Sequence, residues 1–330
     1  MTNLDFAAAY HHPQAPARSN RSAALASLTK LFLSQPWHSR DEVAQYEQSL
    51  CRLLPFSDEE LRCDIAEDLA DHAFTTPAIV QAFLAFDGPE RAPFLTRCIN
   101  VPRDTLFEIA RHGDIDSACL VAGRIDLDGE LVRALIERAE LRVLLKLARN
   151  LLSPLEPPLF ARMVQEGRHN NDLALALCQR ARDPLLIAPL FLQASRNQRS
   201  AILQAAVNAE VGSLRPCPSS AADAAMLEHL QRAARRSGPD EIGWAMSRLL
   251  GCAPLTARNM VRDSGGEPLA LMIAMLGATA YEAREILGAR GVGAPRTKER
   301  TDILCELAMR YPAATARKLL IAMSCDDESV

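Results

Sequence analysis

The sequence predicts an all-α protein: a helical-repeat solenoid of short paired helices, followed by a compact C-terminal helical bundle. Three observations carry that prediction. Helix start signals recur at Thr76-Pro77, Val101-Pro102, Asp128-Gly129, Pro157-Pro158 and Asp183-Pro184, in steps of 25, 26, 29 and 27 residues. A period of that size marks units that bury their apolar faces only by stacking on neighbours. Between the signals apolar residues follow helical spacing, and no sustained period-two alternation marks a strand.

Each element has a local reason. Residues 1–22, with His11, His12 and two prolines, read as a flexible tail. Leu25, Leu28, Leu31, Phe32 and Leu33 then form a capping helix that ends before Pro36. Ser39-Arg40-Asp41-Glu42 has capping-box spacing, and Ser57-Asp58-Glu59-Glu60 repeats it. The first opens a helix carrying Leu50, Leu53 and Leu54. The second opens one whose Leu61, Ile65 and Leu69 share a face at i, i+4 and i+8. Thr76 and Asp183 are N-cap residues followed by proline at the first helical position, where a missing N–H costs nothing. Leu131, Ala134 and Leu135 form the apolar stripe of one repeat helix, and Leu141, Leu144, Leu145 and Ala148 that of the next.

Gly212, Pro216 and Pro218 interrupt this rhythm and set a boundary between a repeat domain (23–212) and a bundle (213–330). Beyond it, helices are expected over about 220–236, 239–251, 255–263, 267–277, 279–289 and 298–322, the last broken at Pro312. Gly288 to Pro295 is a glycine-rich linker; it follows a helix and lacks the strand that a dinucleotide fold requires. Leu255 to Leu287 has the outline of a helix-turn-helix. Its second helix, Pro268-Leu269-Ala270-Leu271-Met272-Ile273, is apolar nearly all round, which fits a buried helix and not a reader of bases.

Composition narrows the function. The 330 residues carry a formal net charge of −4, with −5 over 1–212 and +1 over 213–330, which argues against a dedicated nucleic-acid binder. Aromatic residues make up only 5%, too few for a base-stacking platform. The nine cysteines are scattered and form no C-x-x-C pair, so they read as buried reduced thiols of a cytoplasmic protein. The N-terminus has no signal-peptide pattern, and the longest apolar run is too short to span a bilayer. No sequence pattern points to a catalytic residue, a metal site or a cofactor.

Arginines recur near repeat-helix ends: Arg97, Arg111, Arg124, Arg138, Arg149 and Arg182. A cation in a last turn complements the helix macrodipole and bonds orphan carbonyls. Arg97, Arg124, Arg149 and Arg182 all close second helices of pairs, so in a solenoid they would also line one edge as a partner-binding row. His112, Asp114, Asp116, Asp126 and Asp128 make an acid–histidine cluster, yet a helix of about ten residues holds its two halves about 15 Å apart, too far for one metal. Helix capping and loop roles are expected of them instead.

Ser57-Asp58-Glu59-Glu60-Leu61-Arg62 with Ile65-Ala66-Glu67-Asp68-Leu69-Ala70, Thr105-Leu106-Phe107-Glu108-Ile109-Ala110 and Ala122-Gly123-Arg124-Ile125-Asp126-Leu127 carry a resemblance. So do Leu131 to Arg138, Leu147-Ala148-Arg149-Asn150 and the stretch Gly266 to Ala270. Over about residues 40–210 the chain resembles an uncharacterised alphaproteobacterial family, domain of unknown function 2336, with HEAT-like helical repeats. The resemblance implies a right-handed HEAT-like solenoid and brings no catalytic residue or cofactor. The expected function is a non-enzymatic protein–protein interaction scaffold or signalling adaptor with a protein or peptide partner, and with a homodimer through the C-terminal bundle as a further expectation. The alternative is a nucleic-acid-associated protein using the repeat-end arginines on phosphates.

Overall fold

The computed structural model describes residues 14–210, 221–236, 239–289 and 297–324. Among them every regular element is a helix, so the protein is all-α. Two compact units part between Glu156 and Pro157. The break expected at 211–218 lies outside the described residues, as does most of the glycine-rich linker; the helices over 157–210 cluster with the C-terminal ones rather than with the earlier repeats.

The first unit opens with α1 (Gln14–Leu33), which already covers residues 14–22 of the expected tail. It buries Leu25, Thr29 and Phe32 against α2 (Arg40–Leu53) and α3 (Glu59–Ala70). The Ser39–Glu42 capping box forms as the sequence predicts. The second box does not. Asp58, one residue later, caps α3 by accepting from the Leu61 N–H, while the Ser57 hydroxyl donates to the Leu54 carbonyl and closes a short 3₁₀ turn. Asp outcompetes Ser here because the turn has already engaged the serine.

Then come α4 (Pro77–Leu84) and α5 (Ala92–Arg97), α6 (Arg103–His112) and α7 (Ile115–Ala122), α8 (Gly129–Glu137) and α9 (Leu141–Arg149). The second helices stack in order, α3 on α5, α5 on α7 and α7 on α9, and among the first helices α6 packs on α8. Short helices are marginal alone, so this stacking supplies most of their stability. Leu131, Ala134 and Leu135 of α8 are buried as expected. In α9 the buried face is Val143, Leu144, Leu147 and Ala148, with Leu141 exposed at the first turn. A helix gripped by both α7 and α8 buries a face rotated from the stripe that periodicity suggests.

Ala139, between α8 and α9, has a φ of 55°. A left-handed backbone costs a residue with a Cβ roughly 1–2 kcal/mol. Ala139→Gly is therefore expected to raise unfolding free energy by up to about 1 kcal/mol after glycine's own entropy cost, read as a rise in melting temperature.

The second unit holds α10 (Pro157–Arg168), α11 (Asn171–Arg180), a 3₁₀ segment Pro184–Leu190 and α12 (Arg196–Glu210). Asp183 caps the 3₁₀ segment, and Pro189 within it lacks the N–H that an α-helix would need. The remaining helices are α13 (Ala221–Arg236), α14 (Pro239–Leu250), α15 (Pro254–Arg262), α16 (Glu267–Met275), α17 (Ala280–Gly288), α18 (Lys298–Arg310) and α19 (Ala313–Ser324), close to the ranges read from the sequence. Residues Glu267 to Ala274 of α16 are all buried, among α15, α17, α18 and α19. That burial leaves the helix-turn-helix outline with no surface for bases. No helix among the described residues is long and apolar enough to cross a membrane.

Candidate functional site

The site that the sequence points to is the edge of the first unit where the second helices end. The last four carbonyls of a helix have no partner within it. At the ends of α3, α5 and α7 carbonyls are bonded by a side chain from the following repeat. Arg97 donates to the Glu67 carbonyl at the end of α3 and pairs with the carboxylates of Glu67 and Asp71. Arg124, just past α7, donates to the carbonyls of Phe94, Leu95 and Cys98 at the end of α5, at 3.2, 3.2 and 2.8 Å. Its other face forms a fork with Asp126, at 2.8 and 2.6 Å. Asn150, past α9, continues the series by donating to the carbonyls of Ala122 and Arg124 at 3.0 and 2.6 Å.

The first helices use the same device. Arg138, at the end of α8, donates to the carbonyls of Ile109 and Gly113 at the end of α6. The repeat-end cations thus satisfy the neighbouring helix, across 25 to 30 residues of sequence, more than their own.

This placement separates the four arginines. Arg124 is only 1% exposed. Arg97 is exposed, but two carboxylates share its guanidinium, and the Glu67 bond is the main reason that its pKa rises above the ordinary arginine value. Arg149 is exposed, and Arg182, also exposed, belongs to the other unit. Arg124 is withdrawn from any exposed basic row, because its guanidinium, beside uncapped carbonyls, turns inward.

What stands out along this edge is apolar. Directly after Cys98, Arg124 and Asn150 come Ile99, Ile125 and Leu151, which are 78%, 74% and 74% exposed, and Leu152 follows at 68%. The caps hold their loops side by side: Arg124 bonds the carbonyl just before Ile99, and Asn150 the carbonyl just before Ile125. Sequence reasoning missed this row. Its signal is an apolar residue repeated 26 positions apart, immediately after the helix-ending polar residue.

The acid–histidine cluster is dispersed as its spacing implies. Asp114 and Asp128 cap α7 and α8 through the N–H groups of Ser117 and Leu131, at 2.7 and 2.8 Å. Asp116 pairs with Arg142 and Asp126 with Arg124. The Ser117 bonds hold the Asp114 carboxyl below the usual range. At Asp128 burial pushes upward, but the Leu131 and Arg103 bonds outweigh it and the net shift is also down. Among the described residues no group of three or more His, Cys, Asp or Glu side chains is placed to hold a metal ion. Burial raises the pKa of the thiols of Cys51, Cys63, Cys98, Cys119, Cys178 and Cys305, that of Cys178 to about 11.

These shifts fix a pH dependence. His72, whose pKa burial lowers, favours folding above the ordinary histidine range and loses that contribution as pH falls through it. Asp114 and Asp128 add theirs above the ordinary carboxylate range and lose it at still lower pH. Stability is expected to fall in two acid steps, and His72→Gln to remove the upper one, which begins as pH falls through the ordinary histidine range, as followed by urea midpoints from pH 8 to 3.

No curated protein and no solved structure matches the chain. A family model matches residues 92–320, beginning at α5 rather than near residue 40 and running past α16 into α19, so it includes the whole apolar row. With most of its length covered, the chain belongs to the bacterial family described as uncharacterised protein conserved in bacteria (DUF2336).

Proposed function

We propose that the chain is a non-enzymatic interaction scaffold or signalling adaptor, a HEAT-like helical-repeat array that binds a protein partner along the second-helix edge of its first unit. The observation that carries this reading is the row Ile99, Ile125 and Leu151, three large aliphatic side chains exposed at the repeat period, with the exposed Leu152 beside the last. Fully burying one such side chain is worth about 1.5–3 kcal/mol, and contiguous exposed apolar surface marks interaction sites. Work in a reducing cytoplasm accords with the free cysteines among the described residues. The nucleic-acid alternative is less supported, since Arg124 is withdrawn from solvent and Arg97 is shared by two carboxylates.

The test is co-purification of the tagged full chain from its native host, beside the double variant Ile125→Asp with Leu151→Asp. A stoichiometric protein partner is expected with the natural chain and at least a tenfold loss with the variant, at an unchanged urea midpoint. A partner retained by the variant would place the interface elsewhere, and recovery of nucleic acid alone would favour the alternative.

A further inference from the structure

We propose that the partner segment is an amphipathic α-helix that lies along the row with its apolar residues at i, i+7 and i+14. This inference rests on the scaffold reading and concerns what the edge receives. Packed helices lie about 8–10 Å apart. Because α5, α7 and α9 stack in order and their loops are bonded to one another, the spacing inferred for Ile99, Ile125 and Leu151 is that of packed helices, about 8–10 Å. A strand returns to one face every second residue, at about 6.6 or 13 Å, and straddles this interval. A helix rises 1.5 Å per residue, so seven residues, close to two full turns, bring a side chain back to the same face after about 10.5 Å. Steps of four or eleven residues give about 6 and 16.5 Å and fall out of register.

Charge sets the direction. At the Ile99 end Glu67 and Asp71 share the guanidinium of Arg97, which leaves one negative charge in excess. In the middle Arg124 and Asp126 neutralise each other. At the Leu151 end the guanidinium of Arg149 is exposed. A helix carries partial positive charge at its N-terminus and partial negative charge at its C-terminus. The docked helix therefore places its N-terminus over Glu67 and Asp71 and its C-terminus at Arg149, a complementarity that the reverse orientation would turn into repulsion at both ends.

The experiment uses the full chain and fluorescent synthetic peptides of about 21 residues, long enough for three heptad positions. All share one neutral Ala, Gln, Lys and Glu background with three leucines. In one the leucines are seven apart, in the second four apart, and the third keeps the seven-residue spacing but carries two prolines that break the helix. Fluorescence anisotropy is expected to show the first binding at least tenfold tighter than either control. Ile125→Asp is expected to weaken it at least tenfold, and Arg149→Glu severalfold. A benzophenone on the peptide N-terminus should crosslink to the 67–71 segment and one on its C-terminus to 149–152.

Equal or tighter binding of the proline peptide would overturn the inference in favour of an extended segment. Equal binding of the four-apart peptide would overturn the register, and swapped crosslinks the direction. If no peptide binds, the helical occupant is rejected. The scaffold reading itself stands or falls separately, on whether Ile125→Asp with Leu151→Asp releases the native partner.

Discussion

Arg124→Ala lowers the unfolding free energy of the chain by about 2–4 kcal/mol, the cost of leaving buried helix-end carbonyls without a donor, since the remaining carboxylate of Asp126 is exposed to water. The guanidinium is 1% exposed and serves three helix-end carbonyls and the carboxylate of Asp126. Each buried acceptor left without a donor costs about 1–3 kcal/mol, less whatever water re-enters the space. Arg124→Lys keeps the charge and part of the stem packing. An ammonium cannot reproduce the fork to Asp126 while reaching the end of α5, so about half of the loss should remain. Urea denaturation of the full chain reads the magnitude. Hydrogen exchange locates it, with protection expected to fall first at the C-terminal turns of α5 and α7. Unchanged protection there would show that the carbonyls find other partners.

A comparable loss is expected in the second unit from Arg199→Ala. Arg199, on α12, is nearly buried and bonds both oxygens of Asp263 at 2.8 and 2.9 Å and Glu267 at 3.2 Å. Glu267 is itself buried at the start of α16 and also pairs with Arg300 of α18. Burial alone would lower the Arg199 pKa, but the two carboxylates outweigh it and the net shift is upward. The folded state therefore holds this charge more tightly than the unfolded chain does. On the arginine's own titration, that contribution is lost as pH rises through the arginine range, in strong alkali. Arg199→Ala leaves two buried carboxylates facing one remaining guanidinium, with an expected cost of about 3–5 kcal/mol. The double variant Arg199→Met with Asp263→Leu should cost less than the single one if the penalty is stranded charge rather than lost attraction.

These two clusters also show what was legible in the sequence. The helices, their caps at Ser39, Thr76, Asp114 and Asp128, and the enclosed α16 follow from local chemistry and periodicity, and each was readable. The recurrence of arginine at helix ends was equally visible. Which way each guanidinium turns was not, because that depends on carbonyls about 25 to 30 residues away in sequence that come within reach only once the repeats stack. The apolar row was hidden for the same reason. Ile99 and Ile125 each look like an ordinary loop residue, and only the bonds at Cys98 and Arg124 put them on one edge. The shift of the α3 cap from Ser57 to Asp58 is a smaller case, decided by a turn that had already claimed the serine hydroxyl.

The direction of the caps gives the first unit a polarity in time. The caps made by Arg97, Arg124 and Asn150 all reach backward, from a later helix pair to the helix-end carbonyls of an earlier one. A chain leaves the ribosome N-terminus first, so α5 emerges with its end unsealed and stays so until Arg124 follows. Each repeat is then sealed by the arrival of its successor. A stalled or truncated chain ends on its least finished repeat.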